Sequence, residues 1–157
     1  MKLGEFLTEE NIKLNLASKK KAGVIGELVE LLSVGERIKS MLKDNLLKRE
    51  KMGSTGVGKG IAIPHCRSVL VDKLTVIIGR SKRGIDYDAQ DGKPVHLLFL
   101  IVAPPQPQPL EYLVILGEIA KLSKEIVKHP DILKIDEKER FLNVLFDIER
   151  KLEKRGK

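Results

Sequence analysis

The chain has 157 residues, of which 42% are hydrophobic and 32% are charged, with a formal net charge of +7 at pH 7. This composition excludes a disordered chain and predicts one domain over residues 1–157, with a core at about 8–150 that needs no disulfide or metal. The single cysteine excludes an internal disulfide, and no apolar run could span a bilayer. Since the acidic N-terminal residues do not resemble a secretory signal, we expect a cytoplasmic protein without direct membrane insertion.

The N-terminal third is predicted to be mostly helical. A short strand is expected at residues 11–16, followed by helices at 19–32 and 36–47, because apolar residues recur there at strand and helix spacing. Arg49 then lies at or just past the end of the second helix. It has two interpretations, a charge that complements the helix dipole or a functional cation.

A glycine-rich segment follows this helix. It packs four glycines into eight residues, namely Gly53, Gly56, Gly58 and Gly60. A short strand at 61–63 is ended by Pro64, so His65 lies at the end of a strand, where side chains meet solvent and ligands. Glycine loops can turn backbone amides toward an anion, and Arg49 and Lys59 add positive charge. A nucleophilic imidazole beside amides and cations suits a phosphoryl group.

The second half alternates apolar strands with helices. The predicted elements are a core strand at 74–79, a basic turn at 81–84, a turn at 91–92, a central strand at 95–103, a proline-rich connector at 104–109, helices at 111–128 and 136–152, and a charged, frayed tail at 153–157. Helices at both ends with strands between them predict a layered α/β fold. His96 and His129 are predicted to be structural, and Asp86 and Asp88 lack the pattern of a calcium loop.

Positive charge is concentrated around the glycine-rich segment. Residues 51–110 hold 8 basic and 4 acidic side chains, the largest excess of any third of the chain. This excess suits an anionic substrate or an acidic partner, although a general effect on solubility explains it as well. Aromatic residues make up only 4% of the chain and tryptophan is absent, which argues against a nucleic-acid partner.

The same glycines partly match a phosphate-binding P-loop. Residues 53–59 fit G-x-x-x-x-G-K, but Gly60 stands where the motif needs the hydroxyl that holds magnesium. A P-loop also follows a buried strand and opens a helix, whereas here a helix is predicted before the loop and a strand after it. A module that binds a nucleotide or nucleic acid without covalent chemistry is therefore kept as the alternative to a phosphoryl-transfer function.

Three segments together resemble a known family. They are REKMGSTGVGKGIAIPHC at 49–66, DYDAQDGKPVHLLFLIVAP at 86–104 and EYLVILGEIAKL at 111–122. In order and spacing, over roughly residues 8–150, they are similar to the fructose/mannitol-type (type-2) enzyme IIA proteins of the bacterial phosphotransferase system. Lys51 and Met52 before the glycines resemble the nitrogen-regulatory subgroup most.

The resemblance implies a fold and an activity. The fold would be a three-layer α/β/α arrangement with a central mixed sheet and helices on both faces. The activity would be that of a phosphotransferase component, a phosphohistidine carrier rather than a turnover enzyme, with His65 phosphorylated by an HPr-type phosphocarrier protein and Arg49 stabilising the phosphate. No cofactor or metal is expected. The predicted phosphate-binding loop comprises Ser54, Thr55, Gly56, Gly58 and Gly60, and its two hydroxyls would donate either to the phosphate or to the loop backbone.

The next acceptor of the phosphate has two interpretations. One is a regulatory role in nitrogen or metabolic signalling, exercised on target proteins. The alternative is a sugar-transport component that passes phosphate to a IIB domain. Because these 157 residues contain no membrane segment and no fused carrier domain, we do not expect the chain to move a sugar by itself.

Two positions depart from the family pattern. Tyr112 stands where the helix after the proline-rich connector usually has a second histidine, so it forms a possible wall of the site that can donate a hydrogen bond but cannot be a cation. Cys66 replaces a residue that is usually glycine. It is either a small buried substitute or an oxidisable thiol activated by Arg67 and the amide-rich loop.

Overall fold

A computed structural model describes residues 3–105 and 109–156. The helices are α1 (Lys21–Val29), α2 (Glu36–Lys51), α3 (Pro109–Ile126) and α4 (Lys138–Arg155). The strands are β1 (Ile12–Lys13), β2 (Gly56–Gly58), β3 (Ile61–Ala62), β4 (His65–Arg67), β5 (Thr75–Ile85) and β6 (Val95–Ala103). Short 3₁₀ helices occupy Leu3–Glu5, Glu9–Asn11 and Pro130–Lys134.

The strands form one mixed sheet around β6. The order is β1-β5-β6-β3-β2, and β4 also pairs with β6. Strands β3 and β4 lie in succession along the same side of β6, both parallel to it, while β5 runs antiparallel on the other side. Pro64 separates β3 from β4 because it has no N–H for the ladder, but its carbonyl still accepts a hydrogen bond from Ile101 N at 2.9 Å. His65 is thereby held near the carboxyl end of β6.

Strand β6 is buried on both faces, as its nearly continuous apolar sequence indicates. One face packs with α3 and α4 through Leu97, Phe99, Ile101 and Ala103. The other packs with α1 and α2 through Val95, Leu98, Leu100 and Val102. The predicted three-layer α/β/α architecture is therefore confirmed.

The predicted element boundaries are confirmed in part and wrong in part. The central strand at 95–103 has the expected bounds. The predicted basic turn at 81–84 is wrong, because β5 continues through these residues. A register shift in β5 between Arg80 and Ile85, with Gly84 at φ +94°, accommodates them as an irregularity within the strand.

Helix ends account for most of the other differences. Helix α2 extends past the predicted residue 47 to Lys51, since its polar residues are good helix formers and the first glycine is Gly53. The predicted frayed tail at 153–157 belongs largely to α4, which ends at Arg155. Of the predicted proline-rich connector, residues 106–108 lie outside the described part of the chain. No helix within 3–105 or 109–156 combines the length and apolarity needed to cross a bilayer.

Arg80 joins the sheet edge to the segment before α4. The residue is 2% exposed. The guanidinium donates to the carbonyls of Leu14, Leu133 and Ile135 and to the carboxylate of Asp136, at 2.7–2.9 Å. These bonds satisfy carbonyl groups from two distant segments in one place, so losing the guanidinium would leave them unpaired.

Arg80→Met should therefore lower the free energy of unfolding by about 3 kcal/mol, because the carbonyls it serves remain buried. Urea denaturation followed by circular dichroism measures this. Arg83→Met is the matched control, since Arg83 is exposed on the same strand, and its effect should stay within about 0.5 kcal/mol. Equal losses in the two variants would contradict the structural role of Arg80.

Candidate functional site

His65 is half-buried in the first position of β4. Its Nδ1 lies 2.7 Å from the carbonyl oxygen of Ile63. A carbonyl oxygen can only accept, so Nδ1 carries the proton in this contact and Nε2 keeps its lone pair in the neutral imidazole. The backbone thus fixes both the orientation and the tautomer of the ring, and leaves Nε2 as its nucleophilic atom.

Tyr112 and Arg67 lie beside His65. Tyr112 is in the first turn of α3, with its ring centroid 6.1 Å from that of His65. The guanidinium carbon of Arg67 lies 4.4 Å from the centroid of the same tyrosine ring. Burial raises the pKa of Tyr112 to about 12, while the charges of Arg67 and Arg49 act in the opposite direction. Tyr112 is therefore a neutral phenol at neutral pH, able to donate a hydrogen bond.

Arg49 lies in the last turn of α2 and is half-buried. Its Nη1 donates to the carbonyl of Gly53 at 2.9 Å, which closes the turn between the helix and the glycine-rich loop. Its charge acts on both Tyr112 and Tyr87. The two interpretations of Arg49 are thus compatible, because one guanidinium supports the loop and adds positive potential near Tyr112.

Glu50, the next residue, is buried beneath the loop and was not predicted as part of the site. It is 6% exposed. Its carboxylate accepts from the Thr55 amide at 3.1 Å, from the Thr55 hydroxyl and from the Tyr87 hydroxyl at 3.1 Å, and Lys21 Nζ lies 3.0 Å away. Burial, and then the Glu50 charge, raise the pKa of Tyr87, so its hydroxyl stays protonated and donates. One carboxylate therefore binds three separate segments together.

The two loop hydroxyls, predicted to meet either a phosphate or the loop backbone, have partners within the protein. Ser54 Oγ donates to the Tyr87 carbonyl at 3.3 Å and accepts from the Gly56 amide at 3.1 Å. The Thr55 hydroxyl bonds to Glu50 and lies 3.0 Å from the Tyr87 hydroxyl. These contacts maintain the conformation of the loop; whether either hydroxyl also meets a phosphate stays a prediction.

The loop glycines are required by backbone geometry and close packing. Gly58 and Gly60 have φ of +97° and +85°, which side-chain-bearing residues rarely adopt. A Cβ on Gly56 would lie 2.8 Å from the Ala89 backbone. The amide of Lys59, between them, donates to Asp91 Oδ2 at 2.8 Å. Residues 53–59 thus run from α2 into a β2–β3 hairpin, which is not the strand–loop–helix context of a P-loop.

The remaining sequence candidates have structural contacts. Cys66 packs on the α1/α2 side of the sheet, and burial raises the pKa of its thiol to about 11, so the activated thiolate interpretation is not supported. His96 Nδ1 lies 2.8 Å from the Ser81 carbonyl. His129 Nε2 lies 3.6 Å from Glu125. The two histidines were predicted to be structural, and these contacts agree with that.

The spacing in α2 could have revealed Glu50. Leu42, Leu46 and Glu50 are four residues apart, so they share one face of the helix, and Leu42 and Leu46 are buried there. A charged residue that continues a buried stripe indicates a buried polar cluster. Lys21 and Tyr87 carried no comparable signal, because their pairing with Glu50 joins residues far apart in the chain.

Glu50→Ala should lower the free energy of unfolding by about 3 kcal/mol, because it leaves the Thr55 and Tyr87 donors and the Lys21 charge without their shared partner. Urea denaturation measures the loss. The control is Glu36→Ala on the same helix, whose side chain is 78% exposed and whose effect should stay below about 0.5 kcal/mol. If Glu50→Ala were as stable as the control, the carboxylate would not hold the loop.

Comparisons with known proteins place this geometry in a family. The family "Phosphoenolpyruvate-dependent sugar phosphotransferase system, EIIA 2" matches residues 5–148. The nitrogen regulatory protein of Pseudomonas aeruginosa is 34% identical over 124 residues, covering 78% of this chain and 80% of that protein. The solved structure of nitrogen regulatory protein IIA-Ntr from Neisseria meningitidis has a TM-score of 0.81 at 30% identity, covering 91% of this chain and 98% of that one.

Fructose-specific proteins match as well. The fructose-specific EIIABC component of Bacillus subtilis is 45% identical over 105 residues, covering 66% of this chain, but the chain spans only 16% of that protein. The fructose-specific EIIA component of Haloferax volcanii is 43% identical over 97 residues, covering 60% of this chain and 63% of that protein. The resemblance seen in the sequence is confirmed: the chain belongs to the EIIA 2 family of the phosphoenolpyruvate-dependent sugar phosphotransferase system.

Proposed function

We propose that this chain is a phosphohistidine carrier that accepts a phosphoryl group on Nε2 of His65. The observation that supports this most directly is the 2.7 Å contact between His65 Nδ1 and the Ile63 carbonyl. It presents an oriented neutral imidazole whose free lone pair is on Nε2. His65 is half-buried in the first position of β4, opposite Ile101 near the carboxyl end of β6, and ligands of α/β sheets commonly bind near the carboxyl ends of strands.

The transfer step balances without a proton acceptor. The donor is a phosphohistidine whose other ring nitrogen is protonated. The Nε2 lone pair of His65 attacks phosphorus and forms a new N–P bond as the donor's N–P bond breaks. The donor imidazole leaves neutral with the electron pair, and the phosphorylated His65 keeps its Nδ1 proton on the Ile63 carbonyl. Since no proton must move, the protein chiefly positions the groups and stabilises charge.

Positive charge and hydrogen-bond donors are available for this purpose. Arg49 contributes a guanidinium whose electrostatic effect extends to Tyr112. The first turn of α3, which contains Tyr112, adds the positive end of a helix dipole, and the Tyr112 hydroxyl can donate. Charge on the equatorial oxygens of the transferring group would be stabilised by these donors.

Of the exposed large apolar side chains in the described part of the chain, all but Met41 lie within a few residues of Arg49, Gly56, His65 or Tyr112 in sequence: Met52, Val57, Val69, Leu110, Leu113 and Val114. Side chains of this kind would give partner proteins apolar surface on which to dock. Exposed apolar patches mark interaction surfaces. We propose an HPr-type phosphocarrier protein as the donor of the phosphoryl group. A cytoplasmic location of the chain stays a prediction.

For the next step we favour a regulatory role. Relatives from several bacteria are named nitrogen regulatory proteins, and the match to one of them covers most of both chains. A phosphate adds about −1.5 to −2 charges, enough to reverse the local field of a positive face and change which proteins bind it. Transfer to a IIB domain is the second candidate, because a solved structure titled as a complex of enzyme IIAMTL and phosphorylated enzyme IIBMTL has the same fold.

Radiolabelled phosphate should pass to the chain from a phosphorylated HPr-type carrier and not from ATP with magnesium. The label should be acid-labile, lost in His65→Ala and retained in His96→Ala and His129→Ala, which change the other two histidines. ¹⁵N NMR should place the phosphorus on Nε2. Labelling from ATP, or labelling that persists in His65→Ala, would overturn the proposal.

Pull-downs with the unphosphorylated and the phosphorylated chain separate the regulatory role from the transport role. If both forms bind identical partners and the phosphate passes efficiently to a IIB domain, the transport role is favoured.

Arg49→Ala should slow transfer by about 10³, since an arginine that stabilises a transferring phosphoryl group is worth that much or more. The rate is measured in single turnover, alongside thermal melting. Lys48→Ala, which removes an exposed charge from the same helical turn, is the control and should transfer normally. If Arg49→Ala lowers the melting temperature as strongly as it lowers the transfer rate, the role of Arg49 would be limited to its bond with Gly53.

A further inference from the structure

We propose that Arg67 is a second phosphoryl-stabilising cation of this site, held in place by the ring of Tyr112. The inference rests on the proposed function, because the group that it stabilises is the phosphoryl group on His65. It adds a residue that the sequence alone marks only as a neighbour of Cys66.

The strand places Arg67 on the same side as His65. Both belong to β4, which pairs in parallel with β6 through His65↔Ile101 and Arg67↔Ala103. Side chains two residues apart in a strand share a face, with their Cα atoms about 6.6 Å apart. Both His65 and Arg67 contact the Tyr112 ring, whereas Cys66 between them packs on the opposite side of the sheet. Tyr112 therefore joins the nucleophile and the arginine.

Tyr112 restricts where the guanidinium can go. Arg67 is exposed, and an exposed arginine without a platform would sample many rotamers. Its guanidinium carbon lies 4.4 Å from the Tyr112 centroid, within the range of a cation–π contact, while the tyrosine itself is only 6% exposed. A buried ring thus holds the cation over itself, and the planar guanidinium carries five N–H donors in the fork geometry that suits phosphate oxygens.

The charge supplied in this way does not titrate near neutral pH. The groups whose charges act on Tyr112 are Cys66, Arg67 and Arg49. The pKa of Cys66 is raised to about 11 and that of Tyr112 to about 12, both by burial, so these two stay neutral. Arginine stays charged throughout, whereas a histidine at position 112 would be a cation only below about pH 6.5.

The test is single-turnover phosphoryl transfer from a saturating phosphorylated HPr-type carrier to the full chain. Arg67→Met, which retains an apolar contact to Tyr112, should slow the saturated rate by at least about tenfold, as expected for loss of one transition-state donor. Its melting temperature should be unchanged. Arg83→Met removes one exposed arginine from the far end of β5 and should transfer at the wild-type rate. A normal saturated rate in Arg67→Met, or a change in KM alone, would overturn the proposal.

A double variant adds a readout that a docking or structural role would not produce. In Arg67→Met with Tyr112→His, the transfer rate relative to that of Arg67→Met alone at the same pH should rise as the pH falls from 8 to 6, because the new histidine becomes a cation while His65 is common to both variants. Tyr112→His alone should show a smaller pH effect, since Arg67 is already charged. If the double variant recovers transfer equally at every pH, or does not recover it at all, Arg67 does not act through its charge.

The two proposals fail in different ways. If His65 of the wild-type chain accepts no phosphate, the proposed function itself fails. If His65 accepts phosphate and Arg67→Met transfers at the normal rate, only this inference fails.

Discussion

The buried carboxylate of Glu50 is the contact on which the rest of the site depends. It joins the end of α2 to the glycine-rich loop through Thr55, to the segment before β6 through Tyr87, and to α1 through Lys21. Three parts of the chain that are distant in sequence, namely α1, the junction of α2 with the loop, and the segment before β6, therefore meet at one side chain. A charge buried in this way is costly unless every lone pair has a donor, so the cluster tolerates few alternative arrangements of the loop.

Neighbouring residues at the end of α2 have opposite tasks. Successive residues on a helix point about 100° apart, so Glu50 enters the interior while Arg49 stays at the half-buried margin and bonds to Gly53. The interior contact fixes the helix end, and the helix end in turn fixes the cation. On the other side, the sheet holds His65 through the pairing of β4 with β6 and through its bond to Ile63. Both halves of the site thus rest on backbone elements rather than on mobile side chains.

The sequence predicted the layers and the central strand well, because β6 and the amphipathic helices have local periodicity. The loop residues and His65 came from a long motif, and Tyr112 does lie beside His65. The features that the sequence did not predict depend on contacts between residues far apart in the chain. The irregularity that keeps residues 81–84 within β5 exists only against its partner strand, and the Glu50 cluster needs Tyr87 from 37 residues away. The position of Arg67 beside His65 could not be predicted either, because it follows from the pairing of β4 with β6.

The double-sided burial of β6 has a consequence for cooperativity. Successive residues of this one strand belong in turn to one apolar core and to the other. Neither core can therefore come apart while the other stays intact. We expect unfolding to proceed as a single unit, with the β6 amides among the slowest to exchange. A core substitution in α4, far from His65, would then reduce the fraction of molecules with a formed site, and in a cell it would lower abundance rather than intrinsic activity.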